Sequence, residues 1–255
     1  MRFVVEAQLK HGSGSTDKVL VTQYFRSAIV SLIKQGIQAT NISFYHELFD
    51  ENKLKLYTFA VYFDQGKFKG DTIETSGHIK INISALDEWQ AVNLYNAFVY
   101  LKQSHQNQHP FHNRFDHRDD DLQISILSIQ PIREPHVESD RILVKTASPI
   151  IAREKVDIKK DFFVSATRDE AKFKSLVQEN LKLKLGDYVT NKTDLDKFEI
   201  QPVEMKKTVI RMFDKCVEAS TGRLLIQGPT NILEMALKCG LGSKTGSGAG
   251  FIFKI

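Results

Sequence analysis

The chain has 255 residues, 42% of them hydrophobic and 10% aromatic, enough for one large domain or two of roughly 125 residues. No apolar run approaches the roughly 20 residues of a membrane span, and the N-terminus alternates like a strand rather than a signal peptide. The net charge of +4 is unevenly shared: 13 Lys+Arg stand against 14 Asp+Glu in residues 1–132, and 22 against 17 in residues 133–255.

In chain order, "RFVVEAQL" alternates at period two and reads as a strand. Residues 22–35 put Phe25, Ala28, Ile29, Leu32 and Ile33 on one helical face, with Thr22 as cap and Gly36 as stop. "LYTFAVYF" and "HIKINIS" are β-branched and aromatic, separated by turn residues. Ser84 and Asp87 resemble a capping box ahead of a helix carrying Leu94, Ala97, Phe98 and Leu101. A polar loop over 103–121 follows, and "LQISILSIQP" closes the unit as a strand.

The second half repeats this plan. "RILVKTASP" is a strand, and residues 168–184 form a helix with Phe173, Leu176, Val177 and Leu181 on one face. "TVIRMFDK" and "RLLIQGP" are strands, "TNILEMALKCG" a short helix capped by Thr230, and "GFIFKI" the last strand. Two successive β-α-β-β-α-β units define an α+β chain of two tandem ferredoxin-like domains, residues 1–132 and 133–255, meeting near Pro131–Pro135 around a cleft. RNA-recognition modules share that architecture, although the fold alone names no function. Cys216 and Cys239 lie in apolar-patterned segments and read as buried thiols of a reducing cytoplasm, and no zinc spacing is present.

The most unusual stretch is "CGLGSKTGSGAGFIFKI", with five glycines in eleven residues. Glycine-rich loops bring backbone N–H groups close to phosphate. A Walker A loop is excluded because Ser243, not glycine, precedes Lys244. The dinucleotide fingerprint is excluded because Thr245 takes the third glycine position and a strand, not a helix, follows.

The tail resembles the signature loop of the CRISPR-associated repeat-processing endoribonucleases, the Cas six family. That signature is glycine, apolar, glycine, five variable residues, then glycine, apolar, glycine. Gly240, Leu241 and Gly242, then residues 243–247, then Gly248, Ala249 and Gly250 fill it in register, with Ala249 smaller than usual. "VKTASPIIARE", "LVQENLKLKLGDY" and "QYFRSAIVSLI" resemble further segments of the family in the same order. The resemblance implies a metal-independent endoribonuclease without cofactor, in a prokaryotic cytoplasm. It would cut precursor CRISPR RNA once in each repeat by 2′-OH attack, leaving a 2′,3′-cyclic phosphate and a 5′-OH. Repeat RNA is the implied partner; effector-complex subunits and a second copy of the chain are further partners the family allows, and a membrane is not.

Carried onto this sequence, the resemblance puts the catalytic histidine at His46. Histidine suits proton transfer because its unperturbed pKa lies near 6.5. A lysine that stabilises the phosphorane falls at Lys55, with Lys53 two residues earlier as the alternative. The family's first-helix tyrosine aligns with Val30, and Tyr24, almost two turns earlier, is the nearest candidate for that role. In the loop, the expected RNA contacts are the backbone at Gly240, Gly242, Gly248 and Gly250, the Lys244 charge, and the hydroxyls of Ser243, Thr245 and Ser247. A tight packing turn is the competing explanation for the same glycines. His105, His109, His112 and His117 suggest a metal, but Pro110 breaks the helix that would align them, and a solvated loop brushing RNA is the better reading. Besides the nuclease, the sequence leaves two alternatives: a binding-only relative of the same fold, and an unrelated ferredoxin-like enzyme acting on small phosphorylated molecules.

Overall fold

The computed structural model describes residues 1–11, 18–51, 53–104, 107–111, 122–134, 136–157, 160–212 and 215–255. Its first half runs β1 (Arg2–His11), β2 (Val19–Thr22), α1 (Phe25–Thr40), α2 (Ile42–Tyr45), a π turn (His46–Asp50), β3 (Tyr57–Phe63), β4 (Lys67–Lys69), β5 (Thr72–Thr75), β6 (His78–Ala85), α3 (Glu88–Gln103), β7 (His109–Pro110) and β8 (Leu122–Ile132). The second runs β9 (Arg141–Thr146), β10 (Ala152–Asp157), β11 (Lys160–Val164), α4 (Glu170–Leu185), α5 (Thr193–Asp196), β12 (Glu199–Met212), β13 (Lys215–Gln227), α6 (Thr230–Cys239), a 3₁₀ turn (Thr245–Ser247) and β14 (Ile252–Lys254).

Two antiparallel sheets share one topology. The first has the order β3-β6-β1-β8, with β7 on its edge; the second has the order β12-β13-β9-β14. In each, the first strand of the unit lies between the third and fourth, which makes two tandem ferredoxin-like folds. Alternation drives this. Phe3, Val5, Ala7 and Leu9 of β1 are fully buried, while Glu6 and Gln8 between them are only partly so. Burying each large apolar side chain contributes about 1.5–3 kcal/mol.

Several expectations are corrected. Gly36 does not stop its helix but lies inside α1, where a Cβ would sit 2.8 Å from that of Ala97. The missing side chain lets α1 and α3 approach closely. Tyr24, not Thr22, precedes α1, and Thr230 is the first residue of α6 rather than its cap. Two features lie outside the repeated plan: a three-stranded sheet of β2, β5 and β4, and the hairpin β10–β11. Both are short, and their register comes from pairing with segments the local pattern does not mark. Cys239 is buried as expected, but Cys216 is exposed, because it follows the first residue of β13 at the open end of the long β12–β13 ribbon.

The halves are joined by polar contacts, buried at Arg2 and exposed at Tyr188. Arg2 donates from Nε to Ser84 Oγ at 3.0 Å within its own sheet and from Nη2 to the carbonyl of Ile252 at 3.2 Å in the other. Tyr188 donates its hydroxyl to Asp87 at 2.9 Å. No helix is long and apolar enough to cross a membrane among the described residues.

Candidate active site at the meeting of the two halves

The glycine-rich loop leaves α6, turns, and enters β14, lying against α1 and β3 of the other half. The four glycines of the signature all adopt left-handed backbone: φ is 75° at Gly240, 74° at Gly242, 81° at Gly248 and 72° at Gly250. Residues with a Cβ avoid that region. Each of the four is also pressed against protein. A Cβ at Gly250 would lie 2.0 Å from the Leu241 carbonyl, at Gly242 2.5 Å from that of Ile151, and at Gly248 2.6 Å from the Phe59 ring. Gly246, the fifth, has no such backbone demand, but a Cβ there would meet the Lys55 side chain at 2.4 Å.

The loop's carbonyls are gathered by side chains from three elements. Arg26 Nε of α1 donates to Gly248 O at 3.1 Å, and Thr58 Oγ1 of β3 to Ala249 O at 2.8 Å. Lys184 Nζ of α4 donates to Gly240 O at 3.2 Å and Gly242 O at 2.7 Å. Lys184 is buried, and burial pushes its ammonium down to about 8; burial lowers Arg26 to about 10. Ser243 and Thr245 are buried too, the latter donating to the Lys55 carbonyl at 3.4 Å. The two loop side chains that reach the surface are Lys244 and Ser247, both half-buried. Burial first, then Arg153 and Lys215, lowers the Lys244 ammonium, with Asp161 opposing. The glycines therefore fit the packing explanation, and Lys244 and Ser247 are the loop side chains open to the surface.

His46 opens the π turn after α2, a geometry common at functional positions. Asn41 caps α2 by accepting from Phe44 N at 3.0 Å. The His46 ring is exposed, and its Nδ1 lies 2.6 Å from Asp50 Oδ2, one turn on. A carboxylate only accepts, so Nδ1 is the donor in this contact, and in the neutral ring Nε2 is the acceptor. Asp50 was missed in the sequence, though the His-x-x-x-Asp spacing could have marked it.

The two lysines differ sharply. Lys53 is exposed and paired with Glu47 at 3.2 Å and Glu51 at 3.4 Å, which raise its pKa. Lys55 is half-buried beneath Gly246 and, among the described residues, has no carboxylate partner. Burial and then the charge of Lys34 lower its pKa. Its ammonium sits 5.1 Å from the centroid of the Phe49 ring, and Lys34 of α1 sits 4.9 Å from the same centroid. Phe49 belongs to the turn that carries His46, so His46, Lys55 and the loop share one neighbourhood.

Tyr24 is elsewhere. It is buried before the first turn of α1, its hydroxyl accepting from Arg211 Nη1 at 3.1 Å, while His46 follows the far end of that helix. Sixteen helical residues separate them, about 24 Å of rise. Val30 is buried midway along α1 between Arg26 and Lys34, both of which sequence reasoning overlooked because a charged helix face defaults to solvent. Of the four clustered histidines only His109 is among the described residues. It does not brush solvent: it is buried on β7, Nε2 lying 2.6 Å from Leu101 O. His105, His112 and His117 lie outside the described residues.

Residues 132–253 match the family model for the C-terminal part of the CRISPR associated protein Cas6. No curated protein sequence matches significantly. Solved structures align along the whole chain. One is a CRISPR associated protein Cas6, at 18% identity over 100% of this chain and 99% of that one, TM-score 0.75. Another is an RAMP protein binding different RNA substrates, at 18% identity over 100% and 99%, TM-score 0.79. A third comes from a Cas6-related gene of Pyrococcus furiosus, at 15% identity over 100% and 98%, TM-score 0.80. At such identities these likenesses establish the fold.

Proposed function

We propose, from the premise that this chain belongs to the Cas6 family through residues 132–253, that it binds CRISPR repeat RNA and cleaves the precursor transcript within each repeat. Residues 1–132 would supply the reacting groups and residues 133–255 the glycine-rich loop. The observation that carries this reading is the packing of that family loop, from one half, directly onto the Lys55–Thr58 segment of the other, beside the turn that holds His46.

In the proposed reaction His46 Nε2 takes the 2′-OH proton as the 2′-oxygen attacks the adjacent phosphorus. The P–O5′ bond breaks, giving a 2′,3′-cyclic phosphate and a 5′-oxygen that takes up a proton from imidazolium or water. Asp50 orients the ring, as the carboxylate beside a catalytic histidine does. Lys55 suits the charge building on the phosphorane, because no carboxylate among the described residues neutralises it. Lys53, held between Glu47 and Glu51, suits that role less. Tyr24 has no part in this scheme. Lys244 and Ser247 would meet the RNA backbone, which positions an RNA without reading its bases.

A second reading, RNA binding without cleavage, is favoured by one observation: Val30 stands where the family's helix tyrosine aligns and offers no proton. The test of both is incubation of the purified chain with its own repeat RNA in excess chelator, beside an RNA whose 2′-OH at the cleavage site is replaced by hydrogen. Cleavage of the first only, with a cyclic phosphate end, supports the nuclease. Tight binding of both RNAs without any cut supports the second reading, and loss of activity with chelator would overturn the proton-transfer scheme.

A further inference from the structure

Lys34 was drawn by no sequence pattern, yet it stands on the candidate site. It lies two turns beyond Arg26 on the α1 face whose Arg26 holds the glycine loop, with Val30 between them. Its ammonium and that of Lys55 both rest against the Phe49 ring, at 4.9 and 5.1 Å from the centroid. Like charges gathered around one ring repel, and a ring face offsets that by only about 0.5–1 kcal/mol at a partly exposed position. Among the described residues neither ammonium has a carboxylate within ion-pair distance. Yet the neighbouring lysine on the same turn, Lys53, has two. The acids of this segment thus neutralise Lys53 and, among the described residues, leave Lys34 and Lys55 uncompensated.

Resting on the reading above, we propose that Lys34 and Lys55 form a two-cation clamp for one phosphodiester of the RNA, the one that is cut, with Phe49 as the floor that spaces them. Lys34 then supplies the charge on the helix face where Val30 can supply nothing. Burial and then the Lys34 charge lower the pKa of Lys55, and a phosphate held between the two ammoniums would raise it. The four-carbon stems let both ammoniums close on one anion from either side of the ring edge.

The test pairs a charge removed from the protein with a charge removed from the RNA. Uncleavable repeat RNA, with hydrogen for the 2′-OH at the cleavage site, is made with a phosphate or a neutral methylphosphonate at each linkage in turn. Wild-type protein should lose roughly tenfold in affinity at one linkage, the cleaved one. Lys34→Gln should bind the unmodified RNA more weakly and be indifferent to that linkage, while Lys34→Arg keeps the wild-type response. In single-turnover cleavage Lys34→Gln should be slower by roughly 10–100-fold, with Lys34→Arg restoring most of the rate. A Lys34→Gln protein as sensitive to the methylphosphonate as wild type would overturn the clamp. Wild type that binds repeat RNA but never cuts it would remove the nuclease reading and leave the linkage scan to decide the clamp. Wild type that does not bind repeat RNA would remove both.

Discussion

The His46 turn and the glycine-rich loop adjoin in space and are built on opposite terms. The turn is exposed: His46, Asp50, Lys53 and Glu51 all stand in water, and their bonds to one another are local, within six residues. The loop is buried, and its carbonyls are bound by Arg26, Thr58 and Lys184 from 56 to 222 residues away. The glycines of the conspicuous motif are thus packed against protein, and the plain-looking segment carries the exposed candidate residues. A site of this kind needs a rigid backing and a face that solvent and substrate can reach, and here two segments divide the two demands.

The comparison predicts that the two regions fail differently. The largest effect belongs to the turn. His46→Ala should slow cleavage by roughly 10²–10⁴-fold while leaving the denaturation midpoint and the affinity for repeat RNA nearly unchanged. Single-turnover kinetics beside urea unfolding checks this, and a variant cutting at full rate would strip the turn of its assigned chemistry.

Gly250→Val should do the reverse. Its Cβ meets the Leu241 carbonyl at 2.0 Å and its backbone sits at φ 72°, so the loop must rebuild. The expected loss is on the order of 3–5 kcal/mol of stability, with cleavage falling only through the unfolded fraction and the displaced loop. A Gly250→Val protein as stable as wild type but deficient in RNA binding would mean that the glycine serves RNA rather than packing.

The smallest effect sharpens the loop's side through pH. Lys184 is held at about 8 when folded against 10.5 ordinarily. Between those values the unfolded chain keeps a proton that the folded chain has released, so stability rises with pH across that window. A neutral amine still donates to both carbonyls. The stability advantage of wild type over Lys184→Met should therefore grow from pH 7 to pH 10, by up to roughly 3 kcal/mol. Denaturant titrations of both proteins at the two pH values measure it, and a gap that shrinks on raising pH would contradict the buried, depressed ammonium.

Much of this was readable in the chain and some of it was not. The alternation of β1, β3, β6 and β8 and the helical stripes of α1, α3 and α4 appear at their places, because each needs only its own residues to declare a buried face. The capping box expected of Ser84 and Asp87 is not formed: Ser84 lies in β6 and accepts from Arg2, and Asp87 is itself the cap of α3, accepting from Gln90 N at 3.0 Å. His46 and Lys55 came from family likeness rather than from pattern, since a lone histidine or lysine carries no periodicity. Gly36 misled because a glycine signals a helix end and a close helix contact alike, and only Ala97, 61 positions away, distinguishes them.

What the sequence determined by itself is whatever rests on neighbours in the chain: the order of the main strands and helices, the two repeated units, and a loop whose glycines demand unusual backbone. What only the tertiary structure decided is which charges are compensated. Arg26, Lys34, Lys55 and Lys184 look alike as basic residues in a string. Folding sends Lys184 into the interior to hold carbonyls, Arg26 to the loop, and Lys34 and Lys55 to one aromatic ring with no acid beside them among the described residues. Charge compensation is a property of distance in space and of the dielectric around it, and neither is written in spacing along a chain.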